Sequence, residues 1–318
     1  MTLLRRRTLL TAIALLPLAS FAQKPASTLR IGYQKSSTLL TILKVRGQLE
    51  QELAPLGVKV SWHEFSSGLP LLEALNVGGV DLSADVADTV PVFAQAAGAQ
   101  LTYFAQESPS PSAQAIVVRA DSPIASVAEL KGKKIAVTKA AGSHYLLIAA
   151  LEKAGLRFKD IEPAYLSPAD GRAAFERGSV AAWVTWDPYL AGVQRQSTVR
   201  ILADGRNVAD YQRYYLASTA YAQARPDVLA VVFEALRKTG KWVKQSPKEA
   251  AELLAPAWGL DAKTVELANG RRSYEVRLVV KDALAEQQRI ADAFHNEGLL
   301  PRKLDATAVP LWNGKATL

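Results

Sequence analysis

From residue 29 to about residue 188, short apolar runs alternate with stretches whose apolar residues recur at helical spacing. A chain patterned this way builds βα units around largely parallel sheets, because each strand must be covered by the helix that follows it. Strands are expected at 29–33, 58–65, 80–84 and 101–104, with helices at 38–54, 69–77 and 87–97 between them. A second series follows, with strands at 115–119, 134–138, 161–166, 182–186 and 199–202 and helices at 143–154 and 169–177. Between the series lies Ser108-Pro109-Ser110-Pro111-Ser112. Two prolines so close permit neither helix nor central strand, so the chain should cross there from one lobe to another. The extended run 213–218 reads as the return crossing, and beyond Pro226 the pattern is helical nearly to Glu297, with helices at 228–244, 247–255, 261–267 and 276–296. The expected architecture is α/β and two-lobed, a hinged clamshell with two crossings whose cleft is a natural small-ligand site. Lobe 1 would comprise 23–111 and 214–318, and lobe 2 would comprise 112–213.

The N-terminus supplies an address. Arg5, Arg6 and Arg7 precede a mostly apolar stretch from Leu9 to Leu18, and Ser20-Phe21-Ala22 ends in small residues. That is the layout of a cleavable signal peptide over residues 1–22, and the apolar stretch is half of the roughly 20 residues a membrane span requires. The paired arginines also suit a twin-arginine signal, although the flanking residues differ from that pattern. The chain has no cysteine, which excludes a disulfide framework, thiol catalysis, a thiolate metal site and an N-terminal lipid anchor. An exported chain without an anchor is expected in a periplasm. Removing the three signal arginines takes the formal charge from +8 to +5. No block of five or more Lys or Arg remains, which argues against nucleic acid, while a mild positive field favours small anions.

Catalytic patterns are sparse. His63, His144 and His295 have no metal-binding spacing, and there is no nucleophile elbow, phosphate loop or dinucleotide fingerprint. No cofactor is expected, and an exported hydrolase is the weaker reading. What recurs is a strand followed by hydroxyl, glycine or Asp residues at a helix start: Ser36-Ser37-Thr38, Ser66-Ser67-Gly68, Gly142-Ser143-His144 and Asp187-Pro188. Each such start offers amides without intrahelical partners and the positive end of a helix dipole. Several converging on one cleft would hold an oxoanion without a buried arginine, though each residue would serve equally well as an ordinary N-cap. His144 could donate to an anion beside Ser143 or finish the helix start facing solvent, and Gln34 and Lys35 could donate from the other lobe. In Ala182-Trp-Val-Thr-Trp-Asp-Pro-Tyr189, alternation along the strand sends Trp183 and Trp186 to opposite faces, one toward the core and one toward the crevice.

With these segments in view, the chain resembles the periplasmic aliphatic sulfonate-binding proteins of ABC importers, within a wider group of taurine-, nitrate- and thiamine-precursor-binding relatives. The resemblance rests on Leu29-Arg-Ile-Gly-Tyr-Gln-Lys35, Leu71-Leu-Glu-Ala-Leu-Asn-Val-Gly78, Val92-Phe-Ala-Gln-Ala-Ala-Gly-Ala99, Ser143-His144 before Leu146-Leu147, Tyr165-Leu-Ser-Pro-Ala-Asp170 and the Ala182 to Tyr189 segment. It implies a type II periplasmic-binding-protein fold with the helical tail on the first lobe. It also implies cleft contacts at Gln34, Ser66, Ser67, Gly68, Ser143, His144, Trp186 and Asp187, a membrane permease as partner, and a monomer. One departure stands out. Where relatives carry a glycine-containing loop after the third strand, this chain reads Ser83-Ala-Asp-Val-Ala-Asp-Thr89, one residue longer and without glycine. Asp85 would repel a sulfonate, so it is expected to turn away and cap the next helix. The alternative is that it faces the ammonium of a taurine-like ligand. Nitrate, a sulfate ester and a pyrimidine vitamin precursor are the other ligand alternatives.

Overall fold

The computed structural model describes residues 27–315. The expected signal peptide, 1–22, lies outside them. The first lobe is built on a six-stranded sheet in the order β11-β4-β10-β3-β1-β2. Its first half is a run of βα units: β1 (Ser27–Gln34), α1 (Thr38–Arg46), α2 (Gln48–Leu53), β2 (Val58–Phe65), α3 (Gly68–Asn76), β3 (Leu82–Ala87), α4 (Thr89–Ala96) and β4 (Leu101–Glu107). β1 pairs parallel with β2 and β3, in the register Gly32↔His63 and Gly32↔Ser83. The single helix expected over 38–54 is two, because Gly47 takes a left-handed φ of 59° and closes α1.

The second lobe holds a five-stranded sheet in the order β7-β6-β8-β5-β9. Its elements are β5 (Gln114–Arg119), β6 (Lys134–Val137), α5 (Gly142–Lys153), β7 (Glu162–Tyr165), α6 (Pro168–Glu176), β8 (Ala182–Trp186), α7 (Tyr189–Gln196) and β9 (Val199–Asp204). β6, β7 and β8 run parallel, and β5 is antiparallel to both β8 and β9.

The return to the first lobe differs from expectation. Residues 213–218 are not the crossing but a strand, β10 (Arg213–Ser218), inserted antiparallel between β3 and β4. Its alternating apolar side chains are buried on both sides, which only a central strand provides. The crossing itself lies just before it, where Ser110 N–H donates to the Asp210 carbonyl and ties the two crossings together.

The tail continues through α8 (Thr219–Ala224), α9 (Pro226–Gln245), α10 (Pro247–Trp258) and α11 (Ala262–Gly270). Val228, Leu229, Val232, Leu236, Leu254 and Val265 join the core under α1 and the first sheet. The helix expected over 276–296 begins only at α12 (Ala285–Asn296), because 276–277 form an edge strand, β11 (Val276–Arg277), on β4. The β-branched Val276, Val279 and Val280 favour that extended path. α12 packs beside α4 and α5, with the Phe294 ring 4.9 Å from Phe93, so the end of the tail also touches the second lobe.

Candidate functional site

The carboxyl ends of β1, β3, β6 and β8 meet across a narrow crevice. The first lobe contributes Gln34, Gly68, Ala87, Val90 and Arg213, the second Ala141, Gly142 and Trp186, and the return crossing Tyr211. This is where ligands sit in open α/β sheets, because the strands stop and the helices start there. Two helix starts reach it. Gly68 opens α3, and a methyl group there would lie 2.8 Å from Val90. Gly142 opens α5, and a methyl group there would lie 2.6 Å from the Tyr211 ring. Only glycine lets the helices approach so closely.

Next to Gly142, Ser143 is fully buried, and among the described residues nothing hydrogen-bonds its Oγ. A buried hydroxyl without a partner is costly, and beside a helix N-terminus it is a donor set for an anion. Trp186 supplies an apolar wall. Its ring meets Tyr189 edge to face at 5.6 Å, while Trp183 points the other way into the core of the second lobe, as strand alternation requires.

Other expected contacts sit differently. Gln34 lines the crevice, with its amide nitrogen donating to the Asp85 carbonyl at 3.1 Å. Ser67 is buried at the start of α3, whereas Ser66 is exposed. His144 does not face the crevice. One step along α5 turns its ring about 100° from Ser143, into a cage of Phe158, Tyr165 and Phe294 with centroids 5.1, 5.4 and 4.9 Å away. Its Nδ1 accepts from Ala140 N–H at 3.3 Å, and burial, with Lys139 nearby, lowers its pKa to about 3. It is a neutral buried residue that, unlike the expected ligand contact, does not line the crevice, and its Nε2 has no hydrogen-bond partner among the described residues.

Asp85 is also corrected. It is not a helix cap, because β3 continues through it to Ala87 and Asp88 performs the capping, accepting from Thr89 N–H at 2.9 Å. Between Val86 and Ser83 the ladder with β10 slips by one residue. Asp85 sits in that slip, fully buried, with Oδ2 accepting from Arg213 Nε at 2.6 Å and from an Arg272 terminal nitrogen at 3.0 Å. Arg272 also donates to Glu107 at 2.6 Å and to the Ser36 carbonyl at 3.1 Å. Arg213 donates to Tyr211 Oη at 2.8 Å. Burial and the neighbouring Arg272 work against the charge of Arg213, but Asp85, Tyr211 and Glu107 keep its pKa raised.

The site therefore does contain a buried arginine on the crevice wall, which the sequence reading did not anticipate. The signal appears only once β3 and β4 are seen to extend past the expected 84 and 104: Asp85 and Glu107 then lie in buried strands, and buried carboxylates demand cationic partners. Asp187 likewise does not stand free. Its carboxylate accepts from Arg271 at 3.0 and 3.1 Å and from Ala191 N–H at 2.9 Å. Burial pushes its pKa up to about 7 against the opposing pull of Arg271 and that amide.

A cleft between two α/β lobes, lined by two helix starts, one guanidinium and an indole, defines a solute-binding protein. Residues 55–250 match the NMT1/THI5-like family. The chain is 40% identical over 300 residues to an aliphatic sulfonates-binding protein of Escherichia coli K12, covering 93% of each. The crystal structure of the periplasmic aliphatic sulphonate binding protein SsuA from Escherichia coli superposes with a TM-score of 0.81 at 40% identity, over 90% of this chain and 97% of that one. The alkanesulfonate-binding protein SsuA from Xanthomonas axonopodis pv. citri, bound to MOPS, gives 0.83 at 38% identity, over 89% and 97%. This chain belongs to the NMT1/THI5-like family, in its group of aliphatic sulfonate-binding proteins, and its close relatives are binding proteins rather than enzymes.

Proposed function

We propose that this protein captures aliphatic sulfonates in the interlobe crevice and delivers them to the permease of an ABC importer. The observation that carries this reading is Ser143: a buried hydroxyl without a partner among the described residues, in the first turn of α5 directly after Gly142, which lines the crevice with Gly68, Arg213 and Trp186. The –SO₃⁻ group would take hydrogen bonds from Ser143 and from the first-turn amides of α3 and α5, in the field of two helix dipoles and Arg213. The alkyl group would lie against Trp186. The identity to the Escherichia coli and Xanthomonas relatives supports the same ligand class. The reading includes export to a periplasm after removal of residues 1–22 and action as a monomer. Asp85 is charge-balanced by two guanidiniums on its Oδ2 and does not line the crevice, which weighs against a contact with the ammonium of a taurine-like ligand.

Thermal shift of the mature protein against butanesulfonate, octanesulfonate, taurine, nitrate, a sulfate ester and an aminopyrimidine tests this, since a ligand of the folded state raises the melting temperature by mass action. Alkanesulfonates should stabilise and taurine should do so less. Silence toward every sulfonate would overturn the assignment.

A further inference from the structure

Two consecutive arginines at the end of α11 hold opposite lobes. Arg272 is anchored wholly in the first lobe, on Asp85, Glu107 and the Ser36 carbonyl. Arg271 reaches the other way, placing one terminal nitrogen on both oxygens of Asp187 and the other on Gln194. Asp187 ends β8 and Gln194 lies on α7, both in the second lobe. The helices that carry this contact belong to different bodies. Val265 of α11 is part of the core beneath the first sheet, whereas Leu190 and Val193 of α7 pack into the core of the second. Arg195 and Asp261, at 3.7 Å, add an exposed pair across the same α7–α11 interface.

The Arg271–Asp187 bond is more than a surface pair. Their side chains are 17% and 3% exposed, so the charges are largely desolvated where they meet. Neither Arg271 nor Gln194 lines the crevice. Asp187, however, directly follows Trp186, which does, and its carboxylate also accepts from the first turn of α7, where Tyr189 packs on the Trp186 ring. Separating the lobes at this interface would strip a buried carboxylate of the cation it is bonded to. Closing them restores it.

We infer that Arg271 is a positioning residue for ligand retention: its two-oxygen bond to Asp187, assisted by Gln194, latches the lobes outside the crevice and holds the Trp186 wall closed. The inference rests on the crevice being the ligand site. A contact of this kind between lobes acts on the closed fraction, so it scales apparent affinity without touching ligand and appears mainly in dissociation.

The absence of cysteine makes the test direct. Val77→Cys on the first lobe and Lys159→Cys on the second, both at exposed positions, carry a spin-label pair without background. Ligand-free Arg271→Gln should show a longer and broader interlabel distance distribution than the labelled parent, and Arg271→Lys an intermediate one. Stopped-flow fluorescence should show butanesulfonate leaving Arg271→Gln about tenfold faster, with association changed by less than about threefold. If Arg271→Gln does not fold, Gln194→Ala combined with Arg195→Ala loosens the same interface while leaving Asp187 paired, and should lengthen the distance in the same direction. Identical distance distributions in parent and variants overturn the latch. Should butanesulfonate fail to bind the parent, the ligand assignment falls while the label distances still decide the interlobe bond.

Discussion

Asp85 and Arg213 meet at 2.6 Å inside the first lobe, with side chains 0% and 2% exposed, and Arg272 closes on the same carboxylate oxygen. With Glu107 on Arg272, two carboxylates face two guanidiniums, so the network is charge-balanced while one guanidinium forms part of the crevice wall. A neutral network is what permits a cation to be buried at an anion site without destabilising the ligand-free protein.

Removing Asp85's charge should therefore cost stability before it changes selectivity. Asp85→Asn leaves Arg213 and Arg272 with only Glu107 between them, and breaking a buried network of this kind costs about 3–5 kcal/mol. Urea unfolding monitored by tryptophan fluorescence should show the midpoint falling at an unchanged slope. Titration calorimetry on the folded variant should show taurine and butanesulfonate losing affinity by similar factors. A loss confined to taurine would restore the ammonium-facing role for Asp85.

Adjacent residues on α5 should behave in opposite ways. Ser143→Ala removes a buried hydroxyl that has no partner, so ligand-free stability should hold or rise, while sulfonate affinity falls by about 1.5–3 kcal/mol, the worth of a hydrogen bond to a charged group. His144→Phe should do the reverse. It keeps the contact with Phe158, Tyr165 and Phe294 but strands the Ala140 N–H, costing about 1–3 kcal/mol of stability with sulfonate affinity nearly unchanged. Calorimetric melting and binding titrations on the two variants separate these outcomes, and a large affinity loss in His144→Phe would place the imidazole back in the site.

How far this was legible from the chain varies by residue. The two α/β series, the proline-marked first crossing and the opposed faces of Trp183 and Trp186 follow from local periodicity and turn chemistry, which short windows of sequence carry. Gly142 and Ser143 at a helix start were visible for the same reason. What escaped depends on distance in sequence: Asp85 meets Arg213 and Arg272 across separations of 128 and 187 residues, and no local pattern encodes such partners. The orientation of His144 escaped for another reason. Helix geometry fixes its angle to Ser143 but not which of them faces the crevice, and the aromatic cage that settles this comes from α12 and two other segments. β10 reads as a linker because its sheet partners, β3 and β4, come from before the second lobe, and no local pattern marks a strand whose neighbours are so distant in sequence.

The remaining prediction concerns pH. Asp88 is fully buried at the start of α4, and burial, with Glu286 nearby, pushes its pKa up to about 7 against hydrogen bonds from Gln212 and Thr89 amides. A carboxyl group whose folded pKa exceeds its unfolded value binds more protons when folded. Its stabilising contribution is thus complete below about pH 4 and is lost as pH rises to about 7. The shift from 3.8 to about 7 sets an upper bound of about 4 kcal/mol on that loss. The melting temperature should accordingly decline between pH 5 and 7.5, and Asp88→Asn should flatten the decline because an amide does not titrate. The variant gives up one of the two amide bonds that Asp88 accepts, so its curve should start lower at pH 5 and converge on the parent's near pH 7.5. Parallel curves across that range would mean that Asp88 is ionised throughout and that the amides of Gln212 and Thr89 outweigh its burial.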